Sequence, residues 1–218
     1  MSNGEGNILV LEETKSTDHG IILFIGREPN NTLGTDIRID GYGHQWRGGQ
    51  LGNVQFWNNS YSLCGKITGY HCGALKLLCA KGAVCSPVAY ADLSPLSLDS
   101  ATSSYQKIKL RSAIPEDDYR AHIAGIFSHE KFIKRVKLAV CAGHKGVGLD
   151  KGIPLLERHL EQASIPYCHI DSLNSTRATI DHRVQQMGDK AGIVCDVFDD
   201  LFQRYLPAER LVEKGATG

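Results

Sequence analysis

A carboxylate and an imidazole, each set where an apolar run gives way to polar residues, are the groups here best suited to acid–base chemistry. The run Gly20–Gly26 ends in Gly26-Arg27-Glu28-Pro29-Asn30, and far along the chain "IPYCHID" leads into His169-Ile170-Asp171-Ser172-Leu173-Asn174. A third exit of the same kind, Tyr90-Ala91-Asp92-Leu93-Ser94-Pro95, lies between them. A carboxylate such as Glu28 can stabilise a developing cation or orient a water. An imidazole such as His169 can stabilise a departing anion. Plainer readings stand beside these. Glu28 can pair with Arg27 or a helix N-terminus, His169 can be a hydrogen-bonded rim histidine, and exits are polar because loops meet water.

Four short apolar runs would carry these exits. "GIILFIG" (20–26), "AVCSPVAYADL" (83–93), "VKLAVCAG" (136–143) and "IPYCHID" (165–171) are rich in β-branched residues and closed by glycine or polar residues, as buried parallel strands are. Between them lie helical patterns. Residues 53–81 suggest one or two helices, and 115–135 open on a proline and three acids, which favours a helix N-terminus. Residues 152–164 are amphipathic, and 194–211 form a closing helix. Residues 1–18 read as a ragged lead-in in which "NILVLEE" can add an edge strand, 30–53 as a long glycine-rich loop, and 94–115 as a Ser/Thr-rich connection. Strands alternating with helices predict an α/β three-layer sandwich: a central, mostly parallel four-stranded sheet with helices on both faces, in one domain over 1–218. Ligands in such sheets gather at the carboxyl ends of the strands, so the three exits are expected to converge.

Composition narrows the partners. The 218 residues carry 24 Lys plus Arg against 24 Asp plus Glu, so no global field draws the chain to nucleic acid or anionic membrane. A local basic stretch, "KFIKRVK" (131–137), reads as a solvated helix end that can touch a phosphate backbone. No apolar run reaches membrane-spanning length, and "MSNGEGNILVLEETKS" lacks the basic and apolar regions of a secretory signal. Seven cysteines without framework spacing indicate a reducing compartment, and a cytoplasmic location is expected.

The stretch "ILFIGREPNNTLGTD…GNVQFWNNSY" resembles the first signature of the uracil-DNA glycosylase superfamily, above all its mismatch-specific uracil/thymine branch. Gly26, Pro29, Asn53, Phe56 and Trp57 fall at matching places if one residue is inserted before the aromatic pair. "HIDSLNSTR" keeps His169, Leu173 and Arg177 of the second signature, and "VKLAVCAGHKG" is similar to the segment that precedes it. The similarity runs collinearly over about residues 20–205 through short, degenerate motifs. It departs from the family at Glu28, Asn30, and Ile170, Asp171 and Ser172, where the second signature is normally proline-rich.

The resemblance implies hydrolysis of the N-glycosidic bond of uracil, or another deaminated or mismatched base, in DNA. In that reading Glu28 is the water-activating or cation-stabilising carboxylate and His169 steadies the departing base. Leu173 is the wedge that holds the base out of its stack, or else a local packing anchor. Asn174, Ser175 and Arg177 meet phosphate or neighbouring bases, and Phe56 or Trp57 stacks on the base or belongs to the core. Asn53, Asp92 and Asn30 serve as base-edge or water ligands, or as caps and turns. Gly26, Arg27 and Pro29 shape the first turn, with Asp171 and Ser172 in the second. Two other functions stay open: a relative that binds nucleotide or DNA without cleavage, and a hydrolase or transferase acting on a free nucleoside or small metabolite. DNA is the expected partner, with no obligate protein partner. No cofactor or metal is expected, because Cys64, Cys72, Cys79 and Cys85, near His71, contain no Cys-x-x-Cys pair and read as buried free thiols.

Overall fold

The computed structural model describes residues 19–27, 55–70, 87–96, 102–128, 130–174 and 178–205, the side chains of 55–58, 131 and 205 excepted. Four strands form one parallel sheet: β1 (Ile21–Gly26), β2 (Val88–Asp92), β3 (Val136–Ala142) and β4 (Tyr167–Ile170), in the order β2-β1-β3-β4. The helices are α1 (Gln55–Thr68), α2 (Ser104–Ala113), α3 (Glu116–Phe127), α4 (Glu130–Ile133), α5 (Gly152–Gln162), α6 (Ile180–Met187) and α7 (Ala191–Tyr205). A 3-10 turn at Gly188–Lys190 joins the last two. The chain is therefore an α/β three-layer sandwich, as expected.

Alternation along the strands sorts the core into two halves. Ile22, Phe24, Val88, Tyr90, Leu138, Val140, Cys168 and Ile170 share one face with Tyr61, Cys64, Val194, Phe198, Leu201 and Phe202 of α1 and α7. Ile21, Leu23, Ile25, Ala89, Ala91, Ala139 and Cys141 share the other with Tyr119, Ile123, Ile126, Leu155, Leu156 and Leu160 of α3 and α5. β1 is apolar on both faces because both are covered, and burying each large side chain contributes roughly 1.5–3 kcal/mol. The path from β1 to β2 steps one way over the α1 face. Those from β2 to β3 and from β3 to β4 step the other way over the opposite face, so a single hand serves all three. Among the described residues no helix is long and apolar enough to cross a membrane.

Two helices depart from the sequence reading. Part of the expected connection 94–115 is α2, whose start is fixed by a capping box: Ser103 accepts from the Gln106 N–H while the Gln106 side chain takes the Ser103 N–H. Helix α6 follows β4 where no element was expected, capped by the Thr179 hydroxyl, which accepts from His182 N–H. The expected helical pattern 53–81 yields α1 over its first part; residues 71–81, residues 1–18 and the whole 30–53 loop lie outside the described residues.

Candidate functional site at the carboxyl edge of the sheet

Strand register brings the exits level. Gly26 pairs with Asp92, Ile25 with Cys141, Cys141 with His169 and Ala142 with Ile170, so four chain segments leave the sheet along one edge. The strand order reverses its direction between β1 and β3, and in sheets of this kind ligands bind outside the carboxyl ends at such a switch point. Gly143 turns the chain there with φ of 76°, and its N–H donates to the Ile170 carbonyl at 2.8 Å. His144 then folds back over β1. Its Nε2 lies 3.0 Å from both the Ile25 and Gly26 carbonyl oxygens. Burial pulls its pKa down to about 4, against the opposing effect of those carbonyls, so the ring is neutral near pH 7.

The β4 exit is built from several directions. Arg27 Nη2 donates to Ser172 Oγ at 3.4 Å, joining the turns after β1 and β4. Arg183 of α6, itself buried, donates to the Ser172 carbonyl at 2.6 Å, and Gln186 Oε1 accepts from Asp171 N–H at 2.8 Å. His182 stands 3.4 Å from the Asp171 carboxylate. Asn174 N–H donates to Ser172 Oγ at 3.4 Å, and Asn59 of α1 donates its amide to the Leu173 carbonyl. Helix α6, unread in the sequence, thus sets the turn that carries Asp171 and Ser172.

His169 faces α5, where its Nε2 lies 2.9 Å from Glu157 Oε1, and its ring packs edge-on to Tyr167 and to His144. Cys141 lies alongside. One ligand-capable atom from each of Cys141, His144 and His169 falls within 4.8 Å of the other two. Burial, with smaller contributions from Cys168 and Glu157, raises the Cys141 thiol pKa far above its usual value and keeps it protonated.

Asp92 ends β2 beside Gly26, and its carbonyl is 2.8 Å from Nε2 of His122 on α3. Burial lowers the His122 pKa below 6.5 and outweighs the Asp92 carbonyl, which raises it. The unfolded chain therefore binds this proton more readily than the folded one. The stability tied to a neutral His122 is present above about pH 6.5 and is lost as pH falls through the lower folded value. His122→Gln, which keeps an N–H for the Asp92 carbonyl, is expected to flatten the acid side of a stability-against-pH curve measured by urea unfolding. An unchanged curve would remove His122 from the account.

Of the residues expected at the site, Gly26, Arg27, Asp92, His169, Asp171, Ser172 and Asn174 belong to the strand ends and turns of this edge. Leu173 is qualified: it is 1% exposed and belongs to the α1/α7 half of the core, which fits the packing-anchor alternative. His169 is also qualified, since its Nε2 faces Glu157. Glu28, Pro29, Asn30, Asn53, Ser175 and Arg177 lie outside the described residues, as do the side chains of Phe56 and Trp57, whose backbone is in α1. The sequence reading missed Cys141, His144, Glu157, Arg183 and Asn59. The one signal available was "CAGH", a thiol and an imidazole three residues apart across a glycine.

Fold and edge together define an α/β protein with a parallel four-stranded sheet whose carboxyl edge carries His144, His169 and the polar residues of the turns after β1 and β4. No protein-family model, curated protein or solved structure shows a significant match to this chain.

Proposed function

We propose that this edge binds a nucleobase-bearing ligand and hydrolyses its N-glycosidic bond, in the manner of the uracil-DNA glycosylases that the motifs resemble. The observation that carries the reading is the contact between Arg27 and Ser172, 145 residues apart, which joins the two turns the chemistry requires. Glu28 is the next residue after Arg27, and its carboxylate is assigned to the water or the cationic sugar. Nε2 of His169 is directed at Glu157, so stabilising charge for the departing base is assigned to the Arg27 guanidinium.

Burial of Leu173 favours a second reading, a free nucleoside as substrate, since a base not held in a duplex needs no wedge. Both are tested by incubating the chain with uracil-, hypoxanthine- and mismatch-containing oligonucleotides and, separately, with free nucleosides. Released base is followed chromatographically. Release from an oligonucleotide, lowered roughly a hundredfold by Glu28→Gln, is expected for the first reading, and release from nucleosides alone for the second. No release from any substrate sinks both.

A further inference from the structure

We propose that Cys141, His144 and His169 form a binding site for a single zinc-class divalent ion, three protein donors with a fourth position open to water or a ligand atom. The inference stands apart from the N-glycosidase reading, because metal content and colour test it rather than base release.

The hydrogen bonds already in place decide which ring atoms can bind. Carbonyl oxygens only accept, so Nε2 of His144, 3.0 Å from two of them, carries the hydrogen, and the lone pair of the neutral ring is on Nδ1. The Glu157 carboxylate does the same for His169 from 2.9 Å. Both Nδ1 atoms are buried and have no hydrogen-bond partner. Leaving a buried polar atom unsatisfied costs about 1–3 kcal/mol, so two on neighbouring rings, their centroids 6.1 Å apart, call for an occupant that takes both lone pairs.

A metal ion fits that requirement. Histidines that bind metal characteristically donate the other ring N–H to a carboxylate or backbone carbonyl, which fixes the tautomer and aims the free nitrogen. Here one ring has a carboxylate and the other a pair of carbonyls. The third donor is a thiol, which adds a soft ligand that magnesium or calcium would not favour. Ligand atoms around a tetrahedral zinc stand roughly 3.3–3.8 Å apart, and one ligand-capable atom from each of the three residues already lies within 4.8 Å of the other two, so side-chain rotation has little distance to close. Backbone geometry supplies the rest. Cys141, one residue before the end of β3, is in register with His169, and Gly143 at φ 76° reverses the chain so that His144 follows within three residues. Three protein ligands and one open position is the arrangement of catalytic rather than closed structural zinc.

Binding balances simply. The Cys141 thiol gives one proton to solvent as its sulfur–metal bond forms, both imidazoles bind through neutral lone pairs, and the site gains one net positive charge. The competing occupant is a buried water donating to both Nδ1 atoms.

The chelator-stripped chain titrated with cobalt(II) distinguishes the two. One equivalent is expected to produce a thiolate-to-cobalt absorption in the near ultraviolet together with tetrahedral bands in the visible, both erased by zinc(II). Cys141→Ser should remove the thiolate absorption. Glu157→Gln leaves all three donors in place and should weaken binding ten- to hundredfold, so the test survives even if Cys141→Ser fails to fold. A protein that stays colourless at one equivalent overturns the proposal in favour of the water. A spectrum and affinity unaltered by Glu157→Gln also overturns it, placing the metal on other thiols.

Discussion

Gly143→Ala is expected to destabilise the chain by about 2–5 kcal/mol, the sum of a left-handed backbone that an alanine resists and a side-chain collision. The residue sits at φ 76°, and a Cβ built on it would stand 2.6 Å from Ser172 Cβ and 2.9 Å from Ser172 Cα. Neither neighbour is the tip of a flexible side chain. Ser172 is itself held by Arg27 at its hydroxyl and Arg183 at its carbonyl, so giving way there pulls on the contact that joins the turns after β1 and β4. Gly146→Ala is the control. Its φ of 68° is equally left-handed, yet nothing lies within 4 Å of the added carbon, so only the backbone cost of about 1–2 kcal/mol is expected. Urea unfolding of both variants isolates the collision. Equal midpoints would mean that Ser172 moves freely and that the edge is looser than described.

How much of this was readable in advance depends on how local each cause is. The strands were legible because a short apolar run bounded by glycine or polar residues has few other uses, whereas their order and register appear only in the pairing of the folded sheet. Helix α2 was not, since its surface-exposed composition hides the pattern; Tyr105 and Leu110 are exposed, and its start rests on one serine and one glutamine. That the three exits lie along one edge of the sheet was a consequence of parallel order. The residues that fix the exits were not legible, because Arg183, Gln186 and Asn59 act by reaching across from other elements. His144 shows the limit most clearly. In sequence it is one histidine in a glycine- and lysine-rich loop, and only the left-handed turn at Gly143 brings it over the end of β1.

The same reasoning reassigns a hydrophobic residue. A leucine three residues past a strand end, beside Asn174, looks like an exposed tip, and the motif makes it a wedge. Its backbone, however, is drawn inward by the Asn59 amide at its own carbonyl and by the Arg183 bond to the residue before it. The side chain therefore joins the core that contains Phe24, Val140 and Phe198.

Leu173→Ala is accordingly expected to cost about 2–5 kcal/mol in stability, the range for truncating a core leucine and leaving a partly collapsed void. Leu173→Met nearly conserves volume and should cost under about 1.5 kcal/mol. A wedge would behave in the opposite way. A side chain that waits in solvent to enter a base stack can be truncated with a change within about 0.5 kcal/mol, while base release from duplex DNA falls and that from free nucleosides does not. Denaturant midpoints for both variants, set beside release assays on the two substrate forms, separate these outcomes. Full stability in Leu173→Ala would return the residue to the surface and, with it, restore the duplex-specific reading over the nucleoside one.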